Sequence, residues 1–130
     1  MIILTIRTDK PEAEIGLYNA DRKLKYITWA AHRELSNTIL SKIEELLQSQ
    51  QRKLEDVEGI VCFEGPGSFT GLRIGMTVAN TLAYSLNIPI VAAMEANWIA
   101  LGFERLRSGE DDRIALPHYG SAPHITQQKK

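Results

Sequence analysis

A glycine-rich segment between an apolar run and a helical pattern is the part of this sequence best suited to chemistry. Residues 64–75 read EGPGSFTGLRIG, after the apolar run 59–63 and before a helical pattern that ends at Leu86. A strand that turns into a helix in this way presents backbone N–H groups and the positive end of the helix dipole to an anion. The same glycines also suit a tight connection in which Gly65 and Gly67 adopt backbone angles closed to other residues. Because the Walker A lysine and the Rossmann spacing are both absent, the glycines alone favour the structural interpretation.

A second candidate lies at the end of the first predicted strand, where the chain reads Arg7-Thr8-Asp9. Arg7 cannot bind a cation, because a guanidinium is always charged and has no acceptor. Asp9 could in principle hold a metal–phosphate group, but turns commonly contain aspartate, and a solvent-exposed turn carboxylate is the favoured interpretation.

The remaining reactive side chains form no recognisable site. His32, His118 and His124 show no metal-ligand spacing. The single cysteine, Cys62, excludes an internal disulfide and lies in an apolar run typical of a packed core thiol. We therefore expect no catalytic residue, no metal and no cofactor in this chain.

The bulk properties indicate one domain outside a membrane. The chain has 130 residues and a formal net charge of −1, so it has no overall basic field that would hold RNA. No apolar run approaches the length of a membrane span, and we expect a cytoplasmic protein without membrane contact.

Hydrophobic periodicity predicts the order β-β-β-α-β-α-β-α, which is an α/β fold with a mixed five-stranded sheet and flanking helices. The first three strands are expected to be antiparallel. The predicted strands cover residues 2–6, 13–19, 24–29, 59–63 and 88–92, and the predicted helices cover 33–50, 68–86 and 94–107. Residues 1–107 then form one lobe, and residues 108–130 form a linker and C-terminal tail in which 114–120 make a short strand or a docked segment.

Taken as one string, the glycine segment closely resembles the signature of the TsaB (YeaZ) family, which belongs to the machinery that makes threonylcarbamoyladenosine in tRNA. Residues 1–6, 54–60 and 87–91 are also similar to that family, and the resemblance covers about residues 1–105. It implies a single ribonuclease H-like lobe of the actin/Hsp70/sugar-kinase superfold. Typical members have a second lobe, and we expect a short, one-lobe member here. The motif residues are Gly65, Pro66, Gly67, Ser68, Phe69, Thr70, Gly71 and Arg73.

The resemblance implies a non-catalytic subunit that docks on a TsaD-like transferase through the first two helices, with a TsaE-like ATPase as a transient third component. RNA would be reached only through the complex, and a homodimer is possible in isolation. Two alternatives stay open: an ATP-binding or phosphotransferring enzyme that uses the glycine turn and Asp9, and a homodimeric adaptor unrelated to tRNA. The sequence departs from the family at the first helix, where an Arg-x-His-Ser pattern is replaced by Arg33-Glu34-Leu35-Ser36.

The second predicted helix has a stripe of small residues at four-residue spacing, Gly71, Gly75, Ala79 and Ala83. Such a stripe permits a close approach of another backbone. Together with the apolar residues around it, this stripe predicts either burial on the sheet of the same chain or a partner interface, and the resemblance favours the partner. The predicted interface residues are Leu35, Ile39, Gly71, Leu72, Gly75, Met76, Ala79 and Ala83.

Overall fold

A computed structural model describes residues 1–118 and contains the predicted elements in the predicted order. The strands are β1 (Ile2–Arg7), β2 (Glu12–Asn19), β3 (Arg22–Ala30), β4 (Gly59–Phe63) and β5 (Ile90–Ala93). The helices are α1 (Leu35–Ser49), α2 (Phe69–Leu86) and α3 (Trp98–Arg107). The third helix begins at Trp98 rather than at residue 94, because Glu95 has a φ of +77°, which is incompatible with a continuous helix.

The five strands form one mixed sheet in the order β3-β2-β1-β4-β5. The first three strands are antiparallel, as predicted, whereas β1 pairs with β4 and β4 pairs with β5 in parallel. The parallel strands are buried on both faces, which explains their continuous apolar runs.

Helices cover both faces of the sheet. Helices α1 and α2 pack with Leu4 and Ile60 in one apolar cluster, whereas α3 packs with Ile3 and Val61 in the other. The ends of α2 are set by its flanking residues. The hydroxyl of Ser68 accepts the N–H of Gly71, and Asn87 ends the helix in the left-handed conformation.

The stripe of small residues on α2 faces the interior of the chain. The hydroxyl of Thr8 donates to the carbonyl of Gly71 at 2.8 Å, and a Cβ atom at Gly75 would overlap the side chain of the same threonine. One turn further, Ala79 is fully buried. The stripe therefore lets α2 lie against the turn that follows β1.

This placement corrects the predicted partner interface. Gly71 is half-buried. The other predicted interface residues are buried within the chain itself, in the core that α1 and α2 share with the sheet or at the start of α2. They are Leu35, Ile39, Leu72, Gly75, Met76, Ala79 and Ala83. Small and apolar residues allow a helix to pack closely either on a sheet of its own chain or on a partner. In this chain the pattern identifies the side of the helix pair that packs on the sheet.

After α3, residues 111–118 cross from β5 to the glycine turn, and we call them the strap. The side chain of Asn80 exchanges two hydrogen bonds with the backbone of Ala115, and the N–H of His118 donates to the carbonyl of Glu64 at 2.7 Å. The docked segment predicted here is thus present over residues 114–118 and contains no strand, while residues 119–130, with His124, lie outside the described residues.

The burial of Ala79 gives a first prediction. Ala79→Arg should lower the free energy of unfolding by on the order of 3–5 kcal/mol, because it places an unpaired charge in the core. Thr81→Arg, an exposed position on the same helix, is the matched control and should stay within about 0.5 kcal/mol of the wild type. Urea unfolding followed by circular dichroism measures both. Equal midpoints for the two variants would contradict the inward orientation of the stripe.

The strap gives a second prediction, on pH. Burial alone would raise the pKa of Asp112, but hydrogen bonds from Arg105 and from the amide of Ala92 outweigh it and lower that pKa below its ordinary value. The contribution of Asp112 to stability should thus be complete above the unfolded pKa of about 3.9 and be lost as the pH falls through the lower folded value.

Urea unfolding of the wild type and of Asp112→Asn at a series of pH values tests this sign. The difference between the two free energies of unfolding should be largest near neutral pH and shrink in acid. Asp21→Asn, which removes an exposed carboxylate in the turn between β2 and β3, is the matched control variant. A difference for Asp112→Asn that grows in acid would refute the assignment.

Candidate functional site

The glycine turn between β4 and α2 is shaped by two neighbours. Gly65 has a φ of +119°, precedes a cis peptide bond to Pro66, and lies so close to the carbonyl of His118 that a Cβ atom would overlap it. Gly67 does not have a positive φ, so the prediction that both glycines need special backbone angles is wrong for this residue. A Cβ atom at Gly67 would instead overlap the side chain of Asp9. The turn therefore needs glycine at both positions, for different reasons.

Asp9, the carboxylate predicted to be exposed to solvent, is paired and mostly buried. The guanidinium of Arg7 donates from Nε to Oδ1 at 2.8 Å and from Nη2 to Oδ2 at 3.2 Å, and the Asp9 side chain is 8% exposed. This two-point pair raises the pKa of Arg7, mainly through the hydrogen bond to Asp9 and against the effect of burial. The same guanidinium lies 4.0 Å above the ring of Phe63. Both oxygens of Asp9 are therefore occupied from within the chain.

A second carboxylate nearby is also paired. The hydroxyl of Tyr26 donates to Glu14 at 2.7 Å, and Lys10 lies 3.4 Å from the other oxygen of the same carboxylate. Burial and the Glu14 hydrogen bond raise the pKa of Tyr26, so this phenol stays protonated. The acidic groups at this side of the sheet thus stabilise the turn and the β2–β3 pair.

The remaining candidates show no reactive arrangement. Cys62 is buried, and burial raises the pKa of its thiol, which disfavours the nucleophilic thiolate. Within residues 1–118, no three His, Cys, Asp or Glu side chains come together as a metal site. None of the helices in this range is long and apolar enough to cross a bilayer.

The accessible surface of the helix pair lies on the side opposite to the predicted interface. On α2, exposed residues recur at intervals of three and four: Thr70, Arg73, Thr77, Thr81 and Tyr84. On α1, Ser36 and Leu40 are exposed. We call these seven residues the outer helical face. Tyr84 is 89% exposed and Leu40 is 55% exposed.

A groove of about 350 Å³ runs between the two helices and is lined by Ser36, Thr70, Arg73, Ile74, Thr77 and Val78. The guanidinium of Arg73 lies 5.2 Å from the centre of the Phe69 ring. The motif residues are therefore divided between two environments. Gly65 packs against the strap and Gly71 against Thr8, whereas Phe69, Thr70 and Arg73 lie at the surface.

The outer helical face shares no residue with the predicted interface, because that interface was predicted from small and apolar residues. A stripe of threonines with one arginine and one tyrosine is polar by composition, and it reads as ordinary solvent-exposed surface. The sequence did contain a signal for this face. Side chains that combine a polar atom with a methyl group or a ring recur along α2 at helical spacing.

The close approach of Gly67 to Asp9 gives a third prediction. Gly67→Ala should lower the free energy of unfolding by about 1–3 kcal/mol, because the added methyl group forces the turn away from Asp9. Thr70→Ala, an exposed position three residues later, is the control and should have a small effect. Thermal or urea unfolding measures both. A Gly67→Ala variant as stable as the wild type would show that the turn has room for a side chain.

Comparisons with known proteins agree with the fold described above. The family model described as "TsaD: tRNA N6-adenosine threonylcarbamoyltransferase" matches residues 29–109. The tRNA threonylcarbamoyladenosine biosynthesis protein TsaB of Bacillus subtilis (strain 168) is 38% identical over 101 residues, which are 77% of this chain and 44% of that protein. The tRNA N6-adenosine threonylcarbamoyltransferase of Geotalea uraniireducens (strain Rf4) is 36% identical over 97 residues, which are 73% of this chain and 28% of that protein.

Among solved structures, YeaZ from Pseudomonas aeruginosa superposes with a TM-score of 0.67 at 26% identity, over 73% of this chain and 45% of that one. This chain thus spans less than half the length of each of these relatives. The matched family model, the TsaB relatives and the YeaZ structure together show that the chain belongs to the TsaD-like family of threonylcarbamoyladenosine proteins and, within it, to the TsaB (YeaZ) group.

Proposed function

We propose that this chain is a non-catalytic subunit that binds a TsaD-like transferase and supports threonylcarbamoyl transfer to the tRNA adenosine next to the anticodon, in the cytoplasm. The observation that carries the proposal is the outer helical face, which exposes Leu40 and Tyr84 on the two helices that form an open groove in a member of the TsaB group. The chain shares its family with transferases, so a physical reason must explain why this member would dock and not catalyse.

That reason is the pairing of Asp9. The resemblance to the superfold implies that its catalytic members hold a metal–phosphate group with an aspartate at the end of the first strand, where this chain has Arg7. Asp9 could replace it only if its two-point pair with Arg7 were broken, and breaking a largely buried pair costs several kcal/mol. Gly67 also lies directly against Asp9, which leaves little space for a ligand between them. The enzyme alternative, with Asp9 and the glycine turn as its site, is therefore disfavoured.

The docking proposal rests on the shape and chemistry of α1 and α2. The groove between them can accept side chains from a pair of partner helices, which would complete a four-helix arrangement. Large side chains near the centre of such a contact usually supply most of its binding energy, and Leu40 and Tyr84 are the exposed examples here.

The buried residues first predicted for this interface keep an indirect part in the proposal. Ile39 on α1 and Ala79 on α2 are fully buried in the core that the two helices share, so they help to fix the spacing of the helices and hence the width of the groove. Gly71 and Gly75 hold α2 at its short distance from the turn after β1. A partner would thus contact the outer residues while the inner ones keep the surface rigid.

The other partners follow from the same proposal. A TsaE-like ATPase would join as a transient third component, and tRNA would be bound through the transferase, since a net charge of −1 gives this chain no general attraction to RNA. In the absence of the transferase, a homodimer could use the same outer helical face, because helices that accept a similar helix pair can also accept their own copy.

The docking proposal gives a fourth prediction. Leu40→Glu should weaken binding of the TsaD-like protein of the same organism by at least about tenfold, because it places a carboxylate in an apolar contact. Leu101→Glu is the control, since Leu101 is an exposed leucine on α3, on the other face of the sheet. Calorimetric titration measures both affinities, and circular dichroism confirms that both variants are folded.

Two other results would contradict the proposal at different levels. If Leu40→Glu binds like the wild type while Leu101→Glu fails to bind, the docking surface lies on α3. If the wild type itself neither binds the TsaD-like protein nor stimulates threonylcarbamoyl transfer in a reconstituted assay, the proposed function is wrong.

A further inference from the structure

The two edges of the sheet are protected in different ways. An edge strand exposes unpaired N–H and C=O groups, which invite pairing with another chain unless charges, bulges or a covering segment prevent it. The edge strand β3 carries Arg22, Lys23 and Lys25, and its pairing with β2 has a register shift between Leu17 and Tyr18. The opposite edge strand, β5, has the sequence IVAA and carries no charge and no bulge.

The outward backbone groups of β5 are nevertheless all occupied. The N–H of Ile90 donates to the carboxylate of Asp111 at 3.1 Å, and the N–H of Ala92 donates to the carboxylate of Asp112 at 3.0 Å. The carbonyl of Ile90 accepts the N–H of Asp112 at 2.8 Å, and the carbonyl of Ala92 accepts Nη1 of Arg105 at 2.7 Å. Two side-chain carboxylates, one backbone amide and one guanidinium thus take the place of a sixth strand.

This cover is held at both of its ends. At the β5 end, Arg105 donates to both carboxylate oxygens of Asp112 and also to Glu110. Further along, Ala115 is buried and exchanges two hydrogen bonds with Asn80 on α2. The strap is therefore attached to α3, β5 and α2 at the same time, and it is not a loosely attached extension.

We infer that the strap protects the β5 edge and prevents a second copy of this chain from adding a strand there. A second copy is the relevant partner because two identical apolar edge strands can pair across a two-fold axis without any further complementarity. This role goes beyond the proposed function and does not depend on it. It explains how a lobe with an uncharged apolar edge can remain open to partners at its helices without pairing through its sheet.

The test removes both carboxylates in Asp111→Ala/Asp112→Ala. At the lowest working concentration, the amides of Ile90 and Ala92 should exchange with deuterium at least tenfold faster than in the wild type. When the sample is concentrated, light scattering should give a larger mass than the wild type at equal concentration, and protection of these amides should return as the edges pair. Asp111→Asn/Asp112→Asn keeps a carbonyl oxygen for each amide and should behave between the two.

The control is Glu104→Ala, which removes an exposed carboxylate on α3 that takes no part in the cover. It should leave both exchange and mass unchanged. A folded double-alanine variant with wild-type exchange and wild-type mass would overturn the inference. If that variant does not fold, deuterium exchange of the wild type still tests the inference. Ile90 and Ala92 amides that exchange as fast as in an unstructured peptide would show that the strap does not protect the edge.

Discussion

The contact between the turn after β1 and the first turns of α2 is the constraint on which the rest of the structure depends. Thr8 is buried, donates its hydroxyl proton to the carbonyl of Gly71, and occupies the space that a side chain at Gly75 would need. Two glycines inside a helix cost about 1 kcal/mol each relative to alanine. The chain accepts this cost because the short distance places the start of α2 directly over the end of β1. The glycine turn, Asp9 and the outer helical face all take their positions from that contact.

The same closeness explains why the end of β1 leaves little space for a ligand beside the glycine turn. The end of β1 and the glycine turn lie against each other, with Asp9 turned toward Arg7 and Gly67 packed upon it. Polar groups that could receive a phosphate are used to hold the chain together. The surface that remains open is the other side of α2, where threonine, arginine and tyrosine side chains combine apolar contact with hydrogen-bonding capacity.

The sequence was sufficient for the order of the elements and for both ends of α2, and insufficient for the direction of the helix faces. Alternation and periodicity depend on the local backbone, so the strands and the roles of Ser68 and Asn87 could be predicted. The direction of the small stripe depends on Thr8, which is 63 residues away from Gly71. The pairing of Asp9 with Arg7 depends on the conformation of the backbone at the end of β1, and no local sequence pattern predicts that conformation. The α2 part of the outer helical face could not be predicted from hydrophobicity because its threonine, arginine and tyrosine side chains are amphipathic.

The attachment of the strap also has a consequence for the order in which this chain folds during synthesis. Its anchors join residues that are far apart in sequence, Asn80 with Ala115 and Glu64 with His118, and Arg105 on α3 must be in place to hold Asp112. A ribosome that adds about 5–20 residues per second therefore completes β5 on the order of seconds before the segment that covers it. The outer edge of the IVAA strand stays uncovered until Arg105 and Asp112 are also in place.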